Sequence, residues 1–530
     1  MKLVYDVEDK PKFGQTIVFA IQQLLAIMAA TIVVPVIING NAGLTGDKAM
    51  STAAALFGAG VGTLIYVFFT RKKSPVFLGS SFAFIGSMTA AFAGAASAEA
   101  GYAGLIIGAF FAGMVYVLIA AIVKGVGVKW ISKVMPAVVI GPVVALIGLS
   151  LAGSAVTNLT TTNYNTVYNT ADYSVAVAYE GRQSDQGFQY VDKEGNPVDS
   201  LDKASKVYTV TDQNGNVCKD IKVAQNADGT YTLTKNNSSV YVSIICGLVT
   251  LAVTMLCSCY GKKAMKLIPF IIGILAGYAA ASLFFIIGSV TGNEALKIID
   301  FTALTSIFQN FGFSSIITVP KFTFLTAYGA VGKISASYIA TVAVAYVPVA
   351  FVVFAEHIAD HKNLSSIIER DLLVNPGLHR TLMGDGVGSM FGAFFGGCPN
   401  TTYGESIGCV AITRNASVSS ISTAAILAIL VSFITPLVAF VNSIPSCVMG
   451  GVCMALYGFI AVSGLKMIQS VDLDDNKNLF VVSAILIAGI GGLQISFGKV
   501  TITQIACALI LGILVNVMLS RKKKNAQEAE

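Results

Sequence analysis

What most constrains this chain is the recurrence, from Phe13 to Leu519, of apolar runs, each of roughly 18 to 25 residues and so long enough to cross a hydrocarbon core of about 30 Å as a helix. About fourteen such runs can be counted, and a chain built from them has the bilayer as its solvent. Composition agrees, because only 12% of the residues are charged where a soluble chain carries about twice that share. The mixed acidic and basic stretch before the first run (Asp6, Glu8, Asp9, Lys10, Lys12) and the lack of a small-residue cleavage site after it make that run a span rather than a removable leader. The cysteines are scattered, with only Cys218 in a long polar stretch, so neither a disulfide framework nor a zinc site is expected, and no metal or cofactor. A net charge of +6 does not point to nucleic acid, since the basic residues sit in short clusters between apolar runs.

Those clusters set orientation. They lie at Arg71, Lys72 and Lys73, at Lys124, Lys129 and Lys133, at Lys262, Lys263 and Lys266, at Lys362, Arg370 and Arg380, and at Arg521 to Lys524, each after an even-numbered run. The positive-inside rule then predicts an even number of spans with both termini in the cytoplasm. One connection breaks the pattern: Ala155 to about Val240 is polar, with turn signals KEGNP, QNGN and NADGT between alternating stretches such as KVYTVT and TYTLT. This predicts a small β-rich insertion outside the cell rather than a disordered one. The expected organisation is spans one to five over residues 1–154, the insertion over 155–240, spans six to fourteen over 241–520, and a basic cytoplasmic tail over 521–530.

A faint internal repeat links SPVFLGSSFAF in the third run to CPNTTYGESIG in the tenth, with Gly79 and Gly404 in matching places. Proline and glycine at corresponding positions of two chain halves mark discontinuous helices of an inverted-repeat transporter. Ionisable residues inside apolar runs are costly and ask for a reason. Glu356 lies in VVFAEHIADH, with Asp360 four residues later on the same helical face. Glu405 lies in PNTTYGESIGCVAITR, where helix is expected to resume and bring free backbone N–H groups beside a carboxylate. Phe82 offers the counterpart in the third run, and Tyr403 or Tyr457 could add aromatic faces. Carboxylates that accept, amides that donate and flat faces that grip describe a neutral planar ring bearing N–H and C=O groups; a small anion would be repelled. His357, His361 and His379 gather near one edge without an HExxH pattern, so they read as interfacial and no enzyme is expected.

The segments LGSSFAF, AEHIADH, PGLHR, NTTYGESIGCVAITR and MGGVCMALYG resemble the nucleobase/ascorbate transporter family and its bacterial uracil permease branch, over nearly the whole chain outside the insertion. The resemblance implies an all-α protein of the bacterial cell membrane, with fourteen spans in two inverted repeats of seven, divided into core and gate domains with alternating access between them. It implies import of uracil with a proton, xanthine or urate being the alternative, and a homodimer joined through the gate. By the same resemblance Glu356 and Glu405 bind the ring and the amides of Phe82 and Gly404 meet a ring carbonyl. Phe82, Tyr403 and Tyr457 pack around the ring, and Gln22 lies beside the site. Two positions depart from the uracil branch: Asp360 stands where a histidine is expected, and Asp385 resembles an acid of the xanthine and urate branch. Glu405 within TYGE points back to uracil. Proton coupling falls to Glu356, Asp360 and Asp385.

Overall fold

A bilayer offers no water to backbone N–H and C=O groups, so a chain that crosses it satisfies them within helices. The computed structural model describes residues 3–44, 46–128, 130, 136–162, 164, 166–168, 172–184, 187–191, 197–198, 205–218, 221–225, 231–262, 265–266, 268–309, 312–497 and 500–527. The helices are α1 (Phe13–Asn41), α2 (Thr52–Phe69), α3 (Ile85–Ala93), α4 (Ala98–Val126), α5 (Ala137–Ser150), α6 (Ala152–Thr160), α7 (Val240–Tyr260), α8 (Pro269–Thr291) and α9 (Thr302–Gln309). They continue as α10 (Thr323–Tyr328), α11 (Ala336–Ile368), α12 (Leu378–Gly396), α13 (Gly404–Thr413), α14 (Val418–Val431), α15 (Thr435–Ser443), α16 (Ser446–Ile468), α17 (Asn476–Ile490) and α18 (Gln504–Gln527). Among the described residues, 8 helical stretches are long and apolar enough to cross a membrane. The protein is therefore membrane-embedded and multi-pass, as the apolar runs predict.

Short strands complete the inventory: β1 (Leu78–Ser80), β2 (Thr166–Tyr168), β3 (Tyr173–Tyr179), β4 (Gly181–Ser184), β5 (Gly187–Val191), β6 (Pro197–Val198), β7 (Lys206–Asp212), β8 (Lys222–Gln225), β9 (Tyr231–Lys235), β10 (Asn400–Thr402), β11 (Ile495–Phe497) and β12 (Val500–Ile502). The chain forms two compact units, the first of Met1–Thr160, Ile244–Ala280 and Phe301–Glu530, the second of Thr161–Ser243 and Ala281–Asp300.

Within the first unit the helices pack in two groups. In one, α12 lies against α2 and α4, α14 against α1 and α2, and α11 against α4; in the other, α16 lies against α5 and α6, and α17 against α5 and α18. Glycine makes the first group tight. A Cβ on Gly58 would meet the Gly392 carbonyl at 2.5 Å, one on Gly388 the Gly62 carbonyl at 2.8 Å, and one on Gly113 the Gly386 carbonyl at 2.6 Å. Where lipid is as apolar as the side chains, such close backbone approach is what holds helices together. Helix α11 is capped at its start by Ser335, whose Oγ accepts from Tyr338 N at 3.2 Å, and is followed by Glu369 in the left-handed region.

The second unit is built of antiparallel ladders: β3 on β7 in register from Tyr173 with Asp212 to Tyr179 with Lys206, β4 on β5 on β6, and β2 on β9 on β8. Asp212 closes the turn after β7 by accepting from the N–H groups of Asn214 (2.9 Å) and Asn216 (2.8 Å). The boundary differs from the expected Ala155, because Ala152–Thr160 is helical and the unit begins at Thr161. The NADGT turn, the first four residues of KEGNP, and Lys129, Lys133 and Lys263 lie outside the described residues.

Candidate functional site

The site is organised by two interrupted helices. Neither PVFLGSS nor PNTTY continues as helix, and each leaves three residues extended, which pair antiparallel as β1 and β10: Leu78 with Thr402, Gly79 with Thr401, Ser80 with Asn400. Ser81 N donates to Pro399 O at 2.9 Å and extends the ladder. After the crossing each segment turns into a short helix, α3 from Ile85 and α13 from Gly404. Gly79 and Gly404 therefore do not match: Gly79 lies inside β1, packed against the ring of Tyr403, whereas Gly404 is the first residue of α13 with open space where a Cβ would stand.

Side chains pin the crossing from both sides. Tyr403 OH donates to Ser80 O at 2.7 Å, and Asn400 Nδ2 donates to Gly58 O at 3.0 Å. Ser406 Oγ accepts from Gln23 Nε2 at 2.5 Å and from Phe77 N at 3.0 Å, tying α1, the third segment and α13 together. Glu405 thus sits in the first turn of a helix whose leading N–H groups have no partner within it.

Helix α11 runs past this crossing with Glu356 and Asp360 facing the same cavity as Glu405. Thr402 Oγ1 donates to Asp360 Oδ2 at 2.6 Å, so the strand and the helix share a half-buried bond. The cavity, about 360 Å³, is lined by Phe82, Thr402, Tyr403, Gly404 and these three acids, and also by Val144, Phe270, Leu456 and Phe459, with Lys266 in the wall as well. It falls within the size range of small-molecule sites, apolar with a few convergent polar groups.

Not every expected residue lines it. From α1 the wall is Ala26, with Gln22 one turn earlier and its Oε1 buried without a partner among the described residues. Tyr457 stands behind Phe82, edge to face at 5.8 Å, and is not itself in the wall. The Tyr403 hydroxyl is committed to Ser80, so its ring braces the crossing as well as facing the cavity. Asp385 is also out of the wall: its Oδ2 is bonded to His357 Nδ1 at 2.6 Å, and His357 Nε2 lies 3.0 Å from Thr381 Oγ1.

That pair overturns the interfacial reading of two histidines. His357 and His361 are fully buried, their rings stacked 4.0 Å apart. His361 Nε2 is 2.7 Å from Tyr66 OH, which in turn is 2.7 Å from Ser74 Oγ. Sequence reasoning also passed over Thr402 and Lys266. The histidine spacing of four, putting both on one face of α11, was the available signal.

Residues 14–179 and 222–497 match the family model described as the permease family. The chain is 33% identical over 527 residues to the uracil permease of Bacillus subtilis (strain 168), covering 99% of this chain and 97% of that protein. It is 31% identical over 509 residues to the uracil permease of Escherichia coli (strain K12), covering 96% and 92%. Among solved structures, the transmembrane domain of a cyanobacterium bicarbonate transporter, BicA, is similar at a TM-score of 0.51 and 14% identity, covering 97% of this chain and 100% of that one. The murine anion transporter Slc26a9 in its inward-facing state is similar at 0.54 and 11%, covering 97% and 70%. At these identities the two structures speak for the fold alone.

Proposed function

The chain belongs to the nucleobase/ascorbate transporter family of permeases, transporters and not enzymes, and on that premise we propose that it imports uracil together with a proton. The observation that carries this reading is the meeting of Glu356 and Glu405 at the mouth of a broken helix, in a cavity whose wall also includes the apolar and aromatic side chains of Phe82, Val144, Phe270, Leu456 and Phe459. Two carboxylates suit the two N–H groups of a neutral ring, the amides at the start of α13 suit a ring carbonyl, and Phe82 offers a face. Asp360 is held by Thr402, which leaves Glu356 and Glu405 as the acids for the ring. The same carboxylates disfavour an anion. Asp385, behind α11 and bonded to His357, offers no contact to a larger purine from the cavity wall, which favours uracil over xanthine or urate.

Coupling follows from charge. An empty site with deprotonated Glu356 and Asp360 carries its charge through the low-dielectric interior at high cost, whereas a site loaded with proton and neutral base does not. The two helical packing groups act as core and gate, with the cavity between them alternately opened to either side. On this reading the chain makes fourteen crossings in two inverted repeats, the segments through β1 and α3 and through β10 and α13 and the shorter apolar helices adding to the 8 long ones. Both termini then lie in the cytoplasm of a bacterial cell and the strands of the second unit outside, and the carrier works as a homodimer joined through the gate.

The test is uptake of labelled uracil into proteoliposomes with and without an inward proton gradient, while unlabelled uracil, xanthine, urate and guanine compete in turn. Competition by uracil alone, with uptake lost when the gradient collapses, is expected. Competition by xanthine would move the carrier to the purine branch. Glu356→Gln should abolish uptake, and proton-driven transport retained in that variant would overturn the assignment.

A further inference from the structure

The two helices that present the carboxylates both end against the same short segment of chain. Residues 3–9, ahead of α1, run parallel to the loop that follows α13: Val4 N donates to Arg414 O at 2.8 Å, Ala416 N to Tyr5 O at 2.9 Å, and Val418 N to Val7 O at 3.1 Å. Ser417 Oγ closes the far end on Asp9 O at 2.6 Å. The same segment holds the end of α11, where Arg370 Nη2 donates to Asp6 Oδ2 at 2.5 Å and Nη1 lies 3.6 Å from Glu8. Between these attachments Val7, 1% exposed, is buried among Leu364 and Ile368 of α11 and Ile407 and Val410 of α13. Leu364 is one helical turn beyond Asp360, and Ile407 is two residues beyond Glu405.

We propose that residues 3–9 form a positioning strap, with Val7 as its wedge, that fixes the spacing of α11 and α13 and thereby the separation of Glu356 and Asp360 from Glu405. This rests on the reading of those acids as the ring-binding groups. Helix α13 has 10 residues, and its start is a break in the chain. With so few turns of its own, it is aimed by what holds its two ends, β10 at one and the strap at the other. The wedge outweighs the ion pair, because Arg370 and Asp6 are each 42% exposed and such pairs contribute little.

The experiment uses the full chain in proteoliposomes and in detergent. Val7→Ser, checked for a monodisperse elution profile, should raise the KM for uracil about tenfold or more, since displacement of a binding group by about 1 Å can cost on the order of a hundredfold. Its maximal rate per folded carrier should stay within about twofold. Asp6→Arg should raise KM a few-fold, and the swap Asp6→Arg with Arg370→Asp should restore it. Amide exchange over residues 404–413 should quicken in Val7→Ser, a readout that needs no substrate. A folded Val7→Ser carrier with unchanged KM, or with a lowered maximal rate alone, overturns the strap. Should the wild type carry no uracil, the function reading fails while the exchange arm still decides this one: unaltered protection of 404–413 overturns it.

Discussion

Gly79→Ala is a sharp test of how the crossing is built. A methyl group there would stand 2.9 Å from Tyr403 Cδ2 with two further ring carbons closer still. Carbon atoms settle at roughly 3.5 to 4.0 Å, so the ring must retreat by about 1 Å. Its neighbours leave it little room, because Tyr403 OH is bonded to Ser80 O at 2.7 Å and the residue is 3% exposed. Overpacking of this kind costs about 1–3 kcal/mol, and loss of the hydroxyl bond about 1 kcal/mol more. Tyr403 immediately precedes Gly404 and Glu405, so the displacement passes to the first turn of α13. We expect uracil affinity to fall by ten- to about a hundredfold. The assay is equilibrium binding of labelled uracil to purified carrier, normalised to folded protein, with Gly404→Ala alongside. Gly404 has no neighbour within 4 Å of an added Cβ, so that variant should fold normally, and any loss of affinity would come from a methyl group entering the cavity. Wild-type affinity in a folded Gly79→Ala carrier would refute the brace.

Thr402→Val should lower uptake while Thr402→Ser retains most of it, because only the hydroxyl reaches Asp360; equal rates in the two variants would remove that bond from the mechanism. Glu405→Gln should weaken uracil and change the order of competing bases, since one missing partner in a buried polar site discriminates by orders of magnitude; an unchanged competition series would argue against contact. In the second unit, hydrogen bonds from Asn216 and then Asn214 hold the Asp212 carboxyl below the usual carboxylate range. A depressed folded value supplies stability that is present above the unfolded value and lost as pH falls through the folded one. Amide protection at the β7 turn should therefore decline on acidification in the wild type and lose that dependence in Asp212→Asn.

The sequence made the bilayer, the broken segments and the three cavity acids legible, because length, proline with glycine, and charge within apolar runs are local signals. What it hid depends on which neighbours a helix meets. The histidines gathered near one edge suggested an interface, yet α11 continues to Ile368 and turns His357 and His361 toward Asp385 and Tyr66. Gln22 lost its place to Ala26 by one helical turn, and Tyr457 to Phe82 by standing behind it. The pairing of β1 with β10 is a contact across more than 300 residues, with no periodicity long enough to announce it.

The glycine seam of α2, α4 and α12 inverts the usual ranking of mutational probes. Alanine scanning ordinarily subtracts atoms; at Gly58, Gly113 and Gly388 it adds one where a neighbouring carbonyl already stands. A scan of the charged and aromatic groups alone would therefore miss a class of damaging positions that bear no functional group at all. Loss of activity there would report helices forced apart, and would argue that α12, with Asp385 on it, travels with α2 as one piece.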